Sequence, residues 1–136
     1  MYAGCPIHFV SKLQNKIALS TAEAEYIALS QALRELIPLM ILLKGINNTF
    51  PILLGTPEFV CTVHELNKSC IEMAELDKFT LITKHIDLKY HHFRSFVKSK
   101  KVFIKYCRTR MQKADLLTKP LSDVIFIRLR IMIFGC

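Results

Sequence analysis

The chain has 136 residues, which fits one ordinary domain. Lys and Arg number 19 and Asp and Glu number 11, so the formal charge is +8. The hydrophobic fraction of 51% excludes an intrinsically disordered tail. The positive excess favours a polyanionic partner, either nucleic acid or an anionic membrane face.

Targeting and membrane signals are weak. The N-terminus lacks a basic segment followed by an apolar run, so we expect a cytoplasmic or nuclear protein that is not secreted. The longest uncharged, mostly apolar run covers residues 36–43, short of the roughly 20 residues that a membrane span needs. The odd number of cysteines and the lack of C-x-x-C favour buried thiols, with a zinc site as the minor alternative.

The first half of the chain predicts two short strands and one long helix. The strand candidates cover residues 5–11 and 16–19. A capping box over residues 20–23 begins a helix that reaches about residue 44, and Pro38 should bend it. The apolar stripe of this helix consists of Leu29, Ala32, Leu33, Leu36, Met40 and Leu43.

The second half continues the alternation of strands and helices. The further predicted elements are a strand at 59–64, a helix at 67–74, an amphipathic helix at 85–98, a strand at 102–106 and a C-terminal helix at about 121–134. Strands that alternate with helices predict an α/β layer fold with some parallel pairing.

Glu25 is the acidic residue that the helical spacing singles out. It lies four residues before Leu29 and continues the apolar stripe, whereas Glu23 lines up with the polar face. A carboxylate on the core side is costly unless it is paired or binds a cation. A solvated Glu25 at the end of the stripe is the alternative. By themselves, Asp115 and Glu65 are typical of a helix start and of a surface charge.

One face of the helix at 85–98 is basic. Lys84, His91, Arg94 and Lys98 share it, opposite the apolar face. Such a face could bind phosphates, and a merely solvated face is the alternative.

Several motifs together resemble one family. Residues 18–29, 83–87 and 114–121, in this order and spacing, resemble the C-terminal ribonuclease H domain of Ty1/copia-type retrotransposon Pol polyproteins. Residues 4–7 and 11–14 resemble the strand that precedes the long helix in that family. The match covers almost the whole chain.

The resemblance implies a ribonuclease H-like fold, a mixed sheet flanked by helices. It also implies Mg²⁺ ions held by acidic residues and hydrolysis of the RNA strand of an RNA–DNA hybrid. Glu25 matches the helix carboxylate of the family and Asp115 its last acidic ligand. Both are therefore candidate catalytic and metal-binding residues, with Lys84, His91, Arg94 and Lys98 as candidate nucleic-acid-binding residues.

The departures from the family pattern concern the other two acidic ligands. The first catalytic Asp of the family would lie upstream of Met1, so we expect residues 1–136 to form a single partial domain that lacks the first, central strand. Leu66 stands at the position of another expected Asp. Glu65 is not a simple replacement, because neighbours along a strand point to opposite faces. With two of four ligands left, we expect impaired Mg²⁺ binding and no useful nuclease activity.

Two other classes of function remain open. One is a non-catalytic module that binds an RNA–DNA hybrid or another nucleic acid through the basic helix face, without a membrane partner. The other is a decayed genomic remnant with no selected function.

Overall fold

A computed structural model of the chain describes residues 6–50, 60–76 and 90–135. The helices within these ranges are α1 (Thr21–Thr49), α2 (Lys68–Glu75), α3 (Arg94–Lys98) and α4 (Asp123–Phe134). The strands are β1 (Cys61–Glu65) and β2 (Val102–Tyr106). Two short 3₁₀ helices cover Thr109–Met111 and Lys113–Leu117.

The chain forms two compact units. The larger one, Lys16–Tyr106, is called the sheet unit here and contains α1, β1, α2, α3 and β2. The smaller one, called the terminal unit, combines Met1–Asn15 with Cys107–Cys136. It contains both 3₁₀ helices and α4, which packs against the second 3₁₀ helix. The single domain over residues 1–136 stays a prediction.

The two strands pair in parallel. Their register runs from Cys61 beside Val102 to Glu65 beside Tyr106, and Cys61 N donates a hydrogen bond to Lys101 O at 3.0 Å. Parallel neighbours need a long crossover, and α2 and α3 lie in it and pack against β2. The predicted α/β alternation with parallel pairing is therefore confirmed.

The strand predictions near the N-terminus are wrong where the structure describes them. Residues 6–20 contain no strand, and residue 5 lies outside the described residues. Alternation of side chains makes a stable strand only where a partner supplies the ladder hydrogen bonds. Within the described ranges the sheet has two strands, and the ribonuclease H-like sheet implied by the resemblance stays a prediction.

The capping box at the start of α1 forms as predicted, with a shift of one amide. Ser20 Oγ accepts from Glu23 N at 3.1 Å, and Glu23 Oε2 accepts from Leu19 N at 2.8 Å. The helix runs beyond the predicted end and includes Gly45, because one glycine costs only about 1 kcal/mol in a helix. At its end, the Thr49 hydroxyl donates to Gly45 O at 3.0 Å.

The buried face of α1 includes most of the predicted stripe: Leu29 and Leu33 are buried, and Leu36 and Met40 pack against the core. Tyr26, Ser30 and Leu33 are fully buried, whereas Ala32 of the predicted stripe is exposed. Glu23, placed on the polar face by spacing, is buried, and its carboxylate accepts from Leu19 N at the start of the helix. The spacing of apolar residues thus located most of the buried face and missed its polar members, Glu23 and Ser30.

By length and composition alone, α1 is long and apolar enough to cross a membrane. The uncharged run at residues 36–43 is shorter than this helix, because charged residues interrupt the apolar sequence of α1. A core helix meets the same criteria, and Tyr26, Leu33 and Ile37 of α1 belong to the core of the sheet unit. That core also includes Cys70, Met73, Ala74, Tyr90, Phe93, Val102 and Ile104.

Candidate functional site

Glu65 ends β1 with its side chain turned into the protein. Exposure alternates along the strand, so Glu65 lies on the same face as Cys61 and Val63 and is buried. Its Oε1 accepts from Leu66 N at 2.8 Å and from Asn67 N at 2.9 Å. The expected surface charge is therefore wrong, and the period of two along 61–65 is the signal that could have revealed it.

The turn after Glu65 leads directly into α2. Asn67 is the N-cap residue, and its Oδ1 accepts from Cys70 N at 3.2 Å. Two side-chain oxygens thus satisfy three backbone amides between β1 and the first turn of the helix. Leu66, which stands at the position of an expected Asp, is half-buried in this turn.

The Cys70 thiol, in the first turn of α2, is influenced by Glu65 and Glu25. Cys70 is fully buried, and its thiol hydrogen-bonds the Glu65 carboxylate. Burial raises the pKa of this thiol strongly, and the negative charges of Glu65 and Glu25 raise it further. Glu25 itself is half-buried on α1. The expectation of a buried thiol is confirmed for Cys70, which stays protonated at neutral pH.

Asp115 lies in the terminal unit, in the 3₁₀ helix Lys113–Leu117. Its carboxylate is buried and forms an ion pair with Lys119, with 3.0 Å between Oδ1 and Nζ. Its backbone carbonyl accepts from Thr118 N and Lys119 N. Asp115 is therefore held by its own turn, and Glu25 belongs to the other unit.

The carboxylates of Glu65 and Asp115 each have partners from the protein itself. Over residues 6–50, 60–76 and 90–135, no three His, Cys, Asp or Glu side chains are arranged to hold a metal ion. Around Glu65 the neighbouring donor is the Cys70 thiol, a soft ligand that does not suit Mg²⁺. The Asp115 carboxylate has a lysine ammonium as its partner.

The predicted basic face of the helix is divided between the interior and the surface. His91 and Arg94 are buried, whereas Lys98 is exposed. Lys84 lies outside the described residues, as does most of the predicted helix before Tyr90. Spacing alone placed these residues on one solvated face, but two of them lie beside the core residues Tyr26 and Phe93.

Arg94 and Tyr26 form the centre of a buried polar network. Arg94 Nε donates to the Tyr26 hydroxyl oxygen at 3.1 Å, and Arg94 Nη2 donates to Met73 O at 2.9 Å. The Tyr26 hydroxyl also lies 2.7 Å from His91 Nδ1. The Tyr26 hydroxyl can accept from Arg94 and still either donate to or accept from His91 Nδ1, so the tautomer of His91 sets the direction of that hydrogen bond.

The network joins three helices and the residues that precede α3. Tyr26 belongs to α1, Met73 to α2 and Arg94 to α3. The Tyr26 ring also contacts the His91 and Phe93 rings, with both centroid distances at 5.4 Å. Burial raises the pKa of Tyr26, and the nearby Arg94 guanidinium only partly opposes this. This arrangement can hold helices in place, with the Arg94 side chain buried among them.

Comparison with known proteins gives a consistent class of relatives. The chain is 35% identical over 118 residues, 87% of its length, to the retrovirus-related Pol polyprotein from transposon TNT 1-94 of Nicotiana tabacum. It is 34% and 32% identical, over 89% of its length, to the corresponding polyproteins from transposons RE2 and RE1 of Arabidopsis thaliana. The chain spans 8% of the length of each of these relatives.

These relatives are Ty1/copia-type Pol polyproteins, and they support a retrotransposon origin for the chain. At this level the resemblance drawn from the motifs is confirmed, and its assignment to the ribonuclease H region stays a prediction. No protein-family model matches the chain, and no solved structure matches it significantly.

The buried role of Arg94 predicts a large loss of stability on its replacement. Arg94→Met leaves the Tyr26 hydroxyl and the Met73 carbonyl without this donor and should lower the free energy of unfolding by about 2–4 kcal/mol. Lys98→Met, on the same helix but exposed, should change it by about 0.5 kcal/mol or less. Urea denaturation followed by circular dichroism measures both, and equal small effects would contradict a buried Arg94.

Proposed function

We propose that the chain is a degenerate ribonuclease H domain from a copia-type Pol polyprotein. The activity of that family is metal-dependent hydrolysis of RNA in RNA–DNA hybrids, and the proposal is that this chain has lost it. Similarity over almost nine-tenths of the chain to three transposon Pol polyproteins supports the origin. The motifs at 18–29, 83–87 and 114–121 support the assignment to the ribonuclease H region.

The proposal that activity has been lost is supported by the residues in the turn between β1 and α2. Leu66 stands where the family pattern has an Asp, and leucine has no oxygen to offer a cation. The adjacent Glu65 does not compensate, because two backbone amides and the Cys70 thiol donate to its carboxylate. Release of these donors would cost the hydrogen bonds that join β1 to α2.

The remaining acidic residues support the same proposal. Glu25 and Asp115 match ligands of the family, but two carboxylates supply little charge for a pair of Mg²⁺ ions. Lys119 already compensates the charge of Asp115. We therefore infer that Mg²⁺ binds weakly and that these two residues are remnants of a catalytic set.

The cleavage assay follows directly. The 136-residue chain, incubated with a labelled RNA–DNA hybrid and Mg²⁺ or Mn²⁺, should release no RNA fragments above the protein-free background. Glu25→Gln should give the same result, because no activity depends on Glu25. Metal-dependent cleavage that disappears in Glu25→Gln would contradict the proposal.

A restoration variant tests the ligand count. Leu66→Asp returns one carboxylate to the turn, but the chain as tested then supplies three of the four ligands of the family pattern. This variant should remain inactive in the same assay, with Leu66→Asn as the matched control that lacks the charge. Recovery of cleavage in Leu66→Asp, without recovery in Leu66→Asn, would show that the four carboxylate ligands are not all required for activity.

A second function, nucleic-acid binding without catalysis, is favoured by the position of the positive charge. Residues 88–114 contain nine Lys or Arg and no Asp or Glu, whereas the rest of the chain has ten basic and eleven acidic residues. The whole excess charge thus comes from about a fifth of the sequence. Lys98, Lys100, Lys101 and Lys105 of this stretch are exposed, and such lysines attract phosphates.

Salt dependence tests this second function. Binding of a labelled RNA–DNA hybrid should weaken at least about tenfold between about 50 and 200 mM salt, since each bound phosphate releases counterions. Fluorescence anisotropy measures the affinity. Binding that is insensitive to salt, or an absence of binding at low salt, would contradict this function.

A further inference from the structure

On one face of the parallel sheet, the side chains of β1 and β2 that the structure describes are exposed. Along β2, Val102 and Ile104 are buried, whereas Phe103 and Lys105 are exposed. Lys101, just before the strand, continues the exposed series, and its carbonyl already takes part in the ladder. A lysine, an aromatic ring and a second lysine therefore follow each other on one side at every second residue.

The neighbouring strand completes this face. The register places Thr62 beside Phe103 and His64 beside Lys105, and both β1 residues are exposed. Neighbouring strands lie about 4.8 Å apart, and alternate residues of one strand about 6.6 Å apart. The open face, defined here by Thr62, His64, Lys101, Phe103 and Lys105, is thus a narrow platform two strands wide.

The five side chains of the open face include two lysines and no acidic residue. Glu65, the acidic residue of β1, is turned to the opposite, buried side of the sheet. Helices α2 and α3 pack on that buried side, where Cys70, Met73 and Phe93 meet Val102 and Ile104 in the core. Lys98 and Lys100 add further exposed positive charge in the turn that enters β2. The ligand that complements this face is an anion with repeated charges.

The ring of Phe103 favours one class of polyanion, a nucleic acid with unpaired bases. Phe103 is 38% exposed and lies between two lysines, an arrangement that matches a chain with flat apolar groups and regularly spaced phosphates. Bases in a duplex are stacked on one another, so only an unpaired base offers its face to a side chain. Stacking on an aromatic ring tolerates any base, because every base has a π-face.

We propose that the open face binds single-stranded nucleic acid, with a base stacked on Phe103 and with Lys101 and Lys105 bound to the flanking phosphates. This inference rests on the nucleic-acid binding proposed above and locates it on the sheet, away from the buried Arg94. Binding here needs neither a metal ion nor the acidic residues Glu25 and Asp115.

The experiment uses the full 136-residue chain and a fluorescent oligothymidylate of about 15 nucleotides. Phe103→Ala should weaken binding about tenfold, as expected for the loss of one stacked base. Phe103→Tyr, which keeps the ring, should bind like the original chain, whereas Phe103→Leu, which keeps only an apolar side chain, should bind like Phe103→Ala. Urea denaturation of each variant shows that the fold is retained.

Matched controls separate the open face from general effects. Phe9→Ala removes a ring that is 73% exposed in the terminal unit and should leave the affinity unchanged. Lys101→Ala and Lys105→Ala should each weaken binding and reduce the salt slope by about one. Lys44→Ala, at an exposed position of α1, should have a smaller effect.

Each remaining outcome overturns the inference. If binding is salt-dependent but indifferent to Phe103, the nucleic-acid-binding function stands and the sheet is not its site. If the chain binds no nucleic acid at low salt, the nucleic-acid-binding function and its location on the sheet are both wrong. If a matched duplex binds as tightly as the oligothymidylate, base stacking is not the mode of binding. If vesicles of phosphatidylserine compete for the face and depend on Phe103 while the oligothymidylate does not, the partner is a membrane.

Discussion

The guanidinium of Arg94 is the group on which the sheet unit depends. A buried charge is costly unless hydrogen bonds satisfy it, and Arg94 meets this condition with one bond to the Tyr26 hydroxyl and one to the Met73 carbonyl. These partners lie on α1 and α2, so a single side chain of α3 fixes the positions of both longer helices. The helices α2 and α3 in turn cover the apolar side of β2.

This arrangement divides the charged residues into two groups with different roles. Arg94, His91, Glu23 and Glu65 are buried and serve the fold, through the polar network, the start of α1 and the turn into α2. Lys101 and Lys105 face solvent on the other side of the sheet and remain available to a ligand. The proposed binding of nucleic acid on the sheet is therefore independent of Glu25 and Asp115, which belong to different units.

Local signals in the sequence predicted several elements well. The capping box at Ser20 and the alternation in β2 are complete within a few residues, so the start of α1 and the bounds of β2 agree with the prediction. The end of α1 was missed, because Gly45 weakens a helix without ending it and the last turn is closed by Thr49.

Hydrophobic spacing predicted the apolar part of the buried side of α1, including Leu29 and Leu33, but not the polar residues that are buried with it. Ser30 and Arg94 face the interior because their polar groups have partners there, Arg94 in Tyr26 and Met73, and Ser30 with its Oγ 3.5 Å from His92 Nδ1. Such partners come from segments more than 20 residues away along the chain, which no local pattern contains. For Glu65 the alternation along β1 was a sufficient signal of burial, since the residue lies on the same face as Cys61 and Val63.

The coupling between Tyr26 and Arg94 is the most direct test of this account. A double-mutant cycle with Tyr26→Phe and Arg94→Met, measured by urea denaturation, compares the two single variants with the double variant. We expect a coupling free energy of about 1 kcal/mol or more, because each change removes the same hydrogen bond. Strictly additive losses of stability would show that the two side chains act independently and would contradict the buried network as the centre of the fold.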